Sequence, residues 1–423
     1  MKRKSFLGLA AGLAILPKSW SESNHLLYNN ESFEQLPWDT LRSLFPLKTD
    51  RTFLNNGTMG ITPYPVINAV QKSLTDIAEN AAYPRHDHEL EKKLAELIGC
   101  DHKEIGITKN VSEGVNHIAW GIPLKRGDEV IMTTHEHVGG CAAWLQRARL
   151  EGIVIKTIPI DPSNEQILQR LADNINSKTK VIAVPHIPCT IGQVLPIKEI
   201  CTLAREKGII SCIDGAHPLG MLELDLKDIG CDYYAGCFHK WMLGPIGSGW
   251  VYMKQERLKE TKTTHVAAYS VNAFNMSKNP PFLDDVIEEA SRYSYGTFNG
   301  PQQKGCVAAL ELYKKIGPQR IESRVKELGK YVQTKLLELN DRIELLTPTD
   351  DHARGGQNGF RILKSNKKHE KINSEFVQFA RKNGVILRYV GENDINCIRV
   401  STHYYNNESD VDQMMNLLNE YMG

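Results

Sequence analysis

Asp214 and Lys240 each close a short apolar run, GIISCID for the first and CDYYAGCFH for the residues before the second. A lysine set in GCFHKWMLGPIGSGW is an odd choice for a buried segment, because lysine is almost never fully buried unless it is paired or neutral. A carboxylate at one strand end and a lysine at a nearby one suit a particular chemistry. The carboxylate keeps a pyridine nitrogen protonated, the lysine forms an imine with an aldehyde, and together they turn the ring into an electron sink. Burial lowers the lysine pKa, so that its amine is free to attack and later to move protons. This is pyridoxal 5'-phosphate chemistry, and it calls for a phosphate cradle. ITKNVSEGVNHIAWGI supplies a candidate, with Asn110, Val111 and Ser112 opening a helix behind a short strand and Glu113 in its first turn. The free N–H groups and dipole of such a helix end favour a phosphate.

The elements that must position these residues alternate in kind. EVIMTTHEH, KTKVIAVPH and GIISCID read as buried strands, and CAAWLQRARLEG and IKEICTLAREKG as amphipathic helices, the latter capped by Gly208. Alternation of this sort predicts an α/β fold with a mostly parallel sheet covered on both faces and ligands at its carboxyl ends. After Pro301 a long helical stretch, VAALELYKKIG running into RIESRVKELGKYVQTKLLEL, leads to strands at GFRILK, GVILRYV and NCIRVST and a closing helix, DVDQMMNLLNEYM. The expected division is a leader over residues 1–30, a large domain with an N-terminal arm over 31–300, and a smaller C-terminal α+β domain over 301–423.

At 423 residues the chain can bury a large core. With 51 basic and 50 acidic residues, no basic excess points to nucleic acid and no acidic tail points to a solvating role. Nine scattered cysteines, none in a CxxC pair, argue against a disulfide framework or a structural zinc site. MKRKSFLGLAAGLAILPKSW has a basic start and an apolar run too short to span a bilayer, in the manner of a signal h-region. Arg3-Lys4-Ser5-Phe6-Leu7 resembles a twin-arginine export signal, which implies the periplasm. If it is instead only an apolar leader, the expected location is cytoplasmic.

From FLNNGTMG (Phe53 to Gly60) to VSTHYYN (Val400 to Asn406) the chain resembles the class V aminotransferase family, of PLP-dependent transferase fold type I. That group holds cysteine desulfurases, C–S lyases and isopenicillin N epimerase. DGAH, FHKW and LGPIGSGW carry the resemblance best. It implies that Lys240 forms the Schiff base, Asp214 partners the pyridine nitrogen, His239 contacts the phosphate and His217 lies near the ring oxygen. Glu136-His137 resembles the pair whose histidine stacks on the ring, a catalytic place for His137, and Val111 and Ser112 fall at the phosphate cradle. Gly296-Thr297 matches a Gly-Thr that reaches the neighbouring subunit's cofactor, implying a homodimer with active sites at the interface. Arg399 resembles the arginine that grips an amino acid's α-carboxylate. Arg388 is either a second substrate-binding cation or a satisfied surface residue.

Two departures bear on the reaction. Cys189 stands where desulfurases have an asparagine for the ring hydroxyl, and Cys397 lies on an expected strand with Arg399 rather than on a mobile catalytic loop. Persulfide chemistry is therefore not expected. The expectation is an enzyme acting on an amino acid or amino-acid-derived substrate in an epimerase-like or C–S-lyase-like way, with aminotransferase activity and a non-catalytic PLP-binding sensor as alternatives. His135 and His137 lack a third ligand pattern, so no metal is expected. His86-Asp87-His88 reads as a polar first helical turn or a contributor to the substrate mouth, and Cys237 as core filler.

Overall fold

The computed structural model describes residues 33–84, 87–363 and 369–423. The leader and His86 lie outside the described residues. Seven strands form the main sheet: β1 (Ile105–Thr108), β2 (Glu129–Thr133), β3 (Val154–Ile158), β4 (Thr179–Pro185), β5 (Ile210–Gly215), β6 (Tyr233–Cys237) and β7 (Gly249–Met253). Their order across the sheet is β1-β7-β6-β5-β4-β2-β3, with only β7 antiparallel to its neighbours. The chain runs outward through β2 and β3 and then returns to the other side of β2 through β4, β5 and β6. The crevice between β2 and β4 is therefore the switch point at which such sheets bind ligands.

Alternating side chains of these strands divide between two cores, as a pleat of period two requires. Ile131, Ile182, Val184 and Ile213 join one cluster, beneath helices that include Ile197–Glu206 and Gly300–Ile316. Val130, Met132, Val181, Ala183 and Cys212 join the other, beneath Val111–Gly121 and Val138–Glu151. A sheet apolar on both faces explains why these strands read as continuous hydrophobic runs.

The C-terminal sheet is antiparallel, in the order β8 (Ile343–Leu345), β9 (Gln357–Ile362), β11 (Cys397–Ser401), β10 (Arg388–Val390), and it packs under helices Pro318–Leu337, His369–Lys382 and Glu408–Met422. The stretch expected as one long helix is two. Gly317 adopts φ +99 and Pro318 opens the second helix, because proline lacks the N–H needed to continue the first and suits a first helical position. GVILRYV likewise splits. Val385–Ile386 pairs in parallel with Thr52–Phe53, and Arg388–Val390 turns to pair with β11. The N-terminal arm is thus stitched to the C-terminal sheet, which carries Asn55, Gly57 and Thr58 toward the crevice. Among the described residues no helix is long and apolar enough to cross a membrane.

Ile213 is 2% exposed and sits on β5 one residue before Asp214. Ile213→Ala is expected to cost about 2–5 kcal/mol, read as a lower urea midpoint with an unchanged slope.

Candidate functional site

The carboxyl ends of β2, β4, β5 and β6 open on a cavity of about 370 Å3, which Asp214, His217, His239 and Lys240 all line. Asp214 is the penultimate residue of β5, and its Oδ1 accepts from the Ala216 N–H at 3.0 Å. Burial raises its pKa, while Lys240 and the Ala216 N–H pull it back. Lys240 sits in the turn after β6, its Nζ 3.3 Å from His217 Nε2. His239 Nδ1 donates to the Ser248 carbonyl at 3.3 Å. Burial first, and then the neighbouring Lys240, depress the pKa of both His217 and His239.

Across the cavity, Asn110 caps the helix Val111–Gly121, its Oδ1 accepting from the Glu113 N–H at 2.9 Å. Val111 and Ser112 therefore present an open helix start to the same space. His137 caps the helix Val138–Glu151 by accepting from the Gly139 N–H at Nδ1, 3.0 Å away, and also lines the cavity. Its pKa is lowered by burial and by Lys240. Glycines hold these parts close together. A Cβ on Gly139 would fall 2.3 Å from Ser112 Oγ, and one on Gly140 2.6 Å from Asp214 Oδ2.

Arg399 and Arg388 face each other across the β10–β11 ladder, where like charges are unfavourable unless an anion joins them. Arg399 is fully buried and bonds only neutral oxygens: the Cys189 carbonyl at 2.7 Å, Asn55 Oδ1 at 3.1 Å and Thr58 Oγ1 at 2.7 Å. Its Nε has no partner. Burial and the neighbouring Arg388 push its pKa down to about 9. Arg388 lines the cavity itself and is ion-paired with Glu392. Arg399 stands behind Gly57 and Thr58, where a Cβ on Gly57 would come within 3.3 Å of the guanidinium carbon.

Thr297 is exposed and lies apart from this cavity. Asp87 borders a different cavity with Tyr83 and Phe298. Cys397 is on β11, fully buried, with burial pushing its thiol up to about 12. Cys237, expected as core filler, is buried but also forms part of the cavity wall. His135 spends its Nδ1 on Thr190 Oγ1 at 2.8 Å, and among the described residues no three His, Cys, Asp or Glu converge in the manner of a metal site.

Sequence reasoning missed Asn55, Gly57 and Thr58, although NNGT is a compact turn motif that could have been singled out. It also gave Glu136 no task beyond its neighbour. Glu136 is buried, takes the Thr133 N–H at 3.0 Å and the Thr133 hydroxyl at 2.8 Å on one oxygen, and lies beside Asp214. Burial raises its pKa to about 8, against the pull of the two Thr133 donors and with help from the charge of Asp214.

The Aminotransferase class-V family profile matches residues 53–414. Isopenicillin N epimerase of Streptomyces clavuligerus is 26% identical over 410 residues, covering 91% of this chain and 98% of its own. A probable cysteine desulfurase of Methanothermobacter thermautotrophicus is 26% identical over 406 residues, covering 91% and 98%. Among solved structures, the cystine C–S lyase C-DES with its product cysteine persulfide superposes with a TM-score of 0.79 at 26% identity, over 88% of this chain and 98% of that one. A C-DES mutant with glycine covalently linked to its PLP cofactor gives 0.80 at 27% identity, over 89% and 98%.

A carboxyl whose folded pKa is raised binds its proton more tightly in the folded than in the unfolded chain. Its contribution is full below the unfolded value and is lost as pH climbs through the folded one. For Glu136 that window runs from its ordinary 4.5 up to about 8. Glu136→Gln is expected to flatten the fall in stability between pH 5.5 and 8.5, measured by urea unfolding of ligand-stripped protein at both pH values.

Proposed function

We propose that this chain, which belongs to the class V aminotransferase family, removes the α-proton of an amino-acid substrate and completes either epimerisation or C–S bond cleavage. It is a pyridoxal 5'-phosphate enzyme of fold type I, with epimerase and desulfurase relatives. The observation that carries the reading is the meeting of Asp214 and Lys240, from adjacent strand ends, at one cavity that also holds an open helix start. The cavity fits the cofactor. Its volume lies in the range of small-molecule sites, and Gly139 and Gly140 leave bare the space that a Cβ would crowd.

When bound, pyridoxal phosphate supplies an aldehyde for the amine and a ring that delocalises the electron pair left at the α-carbon. Lys240 is assigned to hold the aldehyde and afterwards to take and return the α-proton. Asp214, anchored by the Ala216 N–H, keeps a negative charge for the pyridine nitrogen. Val111, Ser112 and His239 are assigned to the phosphate, His137 to the face of the ring and His217 to its oxygen. Arg399, with no carboxylate among its partners, is assigned to the substrate α-carboxylate. Arg388 supplies a second positive charge at the mouth. Cys397 is held as a thiol in a strand and not presented as a thiolate, which supports direct elimination or epimerisation over persulfide transfer. Exposed Thr297 is assigned to a second protomer's phosphate in a homodimer.

The purified protein is expected to be yellow, with a visible band that is lost in Lys240→Ala and on borohydride reduction. A colourless wild-type protein would overturn the reading. With a panel of amino acids, solvent deuterium should enter the α-position. Stereochemical inversion or release of pyruvate and sulfide then separates the two outcomes, and keto-acid formation without either would move the assignment to transamination. Arg399→Ala is expected to raise KM by about 30- to 100-fold with a smaller effect on kcat, the worth of one charge-assisted hydrogen-bonded pair. Steady-state kinetics on the preferred amino acid checks this.

A further inference from the structure

Trp241, next to the lysine, points its indole N–H at His217. Trp241 Nε1 lies 3.1 Å from His217 Nδ1, and His217 Nε2 lies 3.3 Å from Lys240 Nζ. Indole nitrogen donates and never accepts, so Nδ1 of His217 must be the acceptor. A neutral His217 therefore carries its proton on Nε2, facing the lysine. An ammonium has donors only, so the Nε2–H can bond Lys240 only through the lone pair of the free amine.

The indole has little freedom to release this hold. It is 1% exposed, and its ring stacks on His403 at 5.5 Å. The Trp241 carbonyl accepts from His403 Nε2 at 2.8 Å. Gly220, with φ +91, lets the backbone approach where a Cβ would stand 2.3 Å from that carbonyl, and a Cβ on Gly356 would come within 2.9 Å of the ring. His403 lies two residues past the end of β11, so the C-terminal sheet helps to set the indole.

We propose that Trp241 is a positioning residue that locks His217 as its Nε2–H tautomer, so that His217 donates to the free amine of Lys240 and keeps it unprotonated. The catalytic meaning rests on the function proposed above, whereas the tautomer does not. His217 is faced by Lys240, Arg399, Arg388 and His137; the two guanidiniums oppose a second proton on it, as would any charge left on Lys240 or His137. Lys240 is faced by His217, His137, His239, Asp214 and Cys237. Condensation of Nζ with an aldehyde expels one water and needs the unprotonated amine, so a donor to that lone pair favours the reacting form.

The test uses the full chain labelled with 15N-histidine, both loaded with pyridoxal phosphate and stripped of it, with His217→Gln assigning the resonance among the 14 histidines. His217 is expected as a neutral ring protonated at Nε2 alone from pH 6 to 9, and Trp241→Phe should give a mixture of tautomers. An Nδ1–H ring or an imidazolium at pH 7 in the wild type overturns the proposal, and that measurement needs no variant to fold. The rate at which stripped protein rebinds pyridoxal phosphate should titrate with the Lys240 amine. Trp241→Phe should move that midpoint to higher pH and slow rebinding about fivefold at pH 7, the net worth of one hydrogen bond. In a His217→Gln background Trp241→Phe should add no further shift, because an amide keeps its N–H without a lock. Slowing that is uniform across pH, with the midpoint unmoved, would mean that Trp241 only packs. A wild-type protein that never binds the cofactor would defeat the proposed function and leave the tautomer to be judged by NMR.

Discussion

Charge withdrawn from water at the end of one sheet is the constraint that organises this molecule. Asp214, Glu136, Arg399 and the histidines around Lys240 all have pKa values displaced first by burial and only then by neighbours. Burying a charge is costly unless a partner of opposite sign or several dipoles surround it. In this cavity some of the compensation is present and some is left to a ligand. The Ala216 and Thr133 donors serve the carboxyls, while Arg399 has only neutral oxygens. A site left short of negative charge beside an amine and a helix start is already shaped for an anionic, aldehyde-bearing cofactor and a carboxylate substrate.

Two sheets are needed to sustain that state. The parallel sheet sets Asp214 and Lys240 on neighbouring strands, and its reversal between β2 and β4 opens the crevice. The antiparallel sheet brings Arg388 to the same space and sets Arg399 just behind its wall of Gly57 and Thr58. The bond from Asn393 to the Glu136 carbonyl, at 3.0 Å, ties the loop after β10 to the His137 turn. The arm strand Thr52–Phe53 joins the two parts from the other side, carrying Asn55 and Thr58 to Arg399. Motion of the small sheet relative to the large one would therefore move Arg399 relative to the amine.

Cys189 and Trp241 show how neighbouring residues alter an inherited site. The Cys189 side chain has no amide to offer a ring hydroxyl, yet its backbone carbonyl holds Arg399. Trp241 fixes the protonation pattern of the histidine beside the amine. Neither role follows from residue type alone, since a cysteine and a tryptophan in apolar surroundings are ordinarily packing.

Residue order along the chain was enough to determine the α/β alternation, the acid and amine at successive strand ends, the helix start at Val111 and Ser112, and the position of Arg399 on a strand with Cys397. These depend on periodicity and on local capping, which a short window contains. Tertiary structure alone decided that Gly317 and Pro318 break one helical stretch into two, that GVILRYV divides between two partners, and that NNGT reaches Arg399 across more than 300 positions. It also decided the proton's place on His217 and the raised pKa of Glu136. The reason is physical: hydrogen-bond direction and desolvation depend on which groups meet in space, and those groups are contributed by segments that no local pattern brings together.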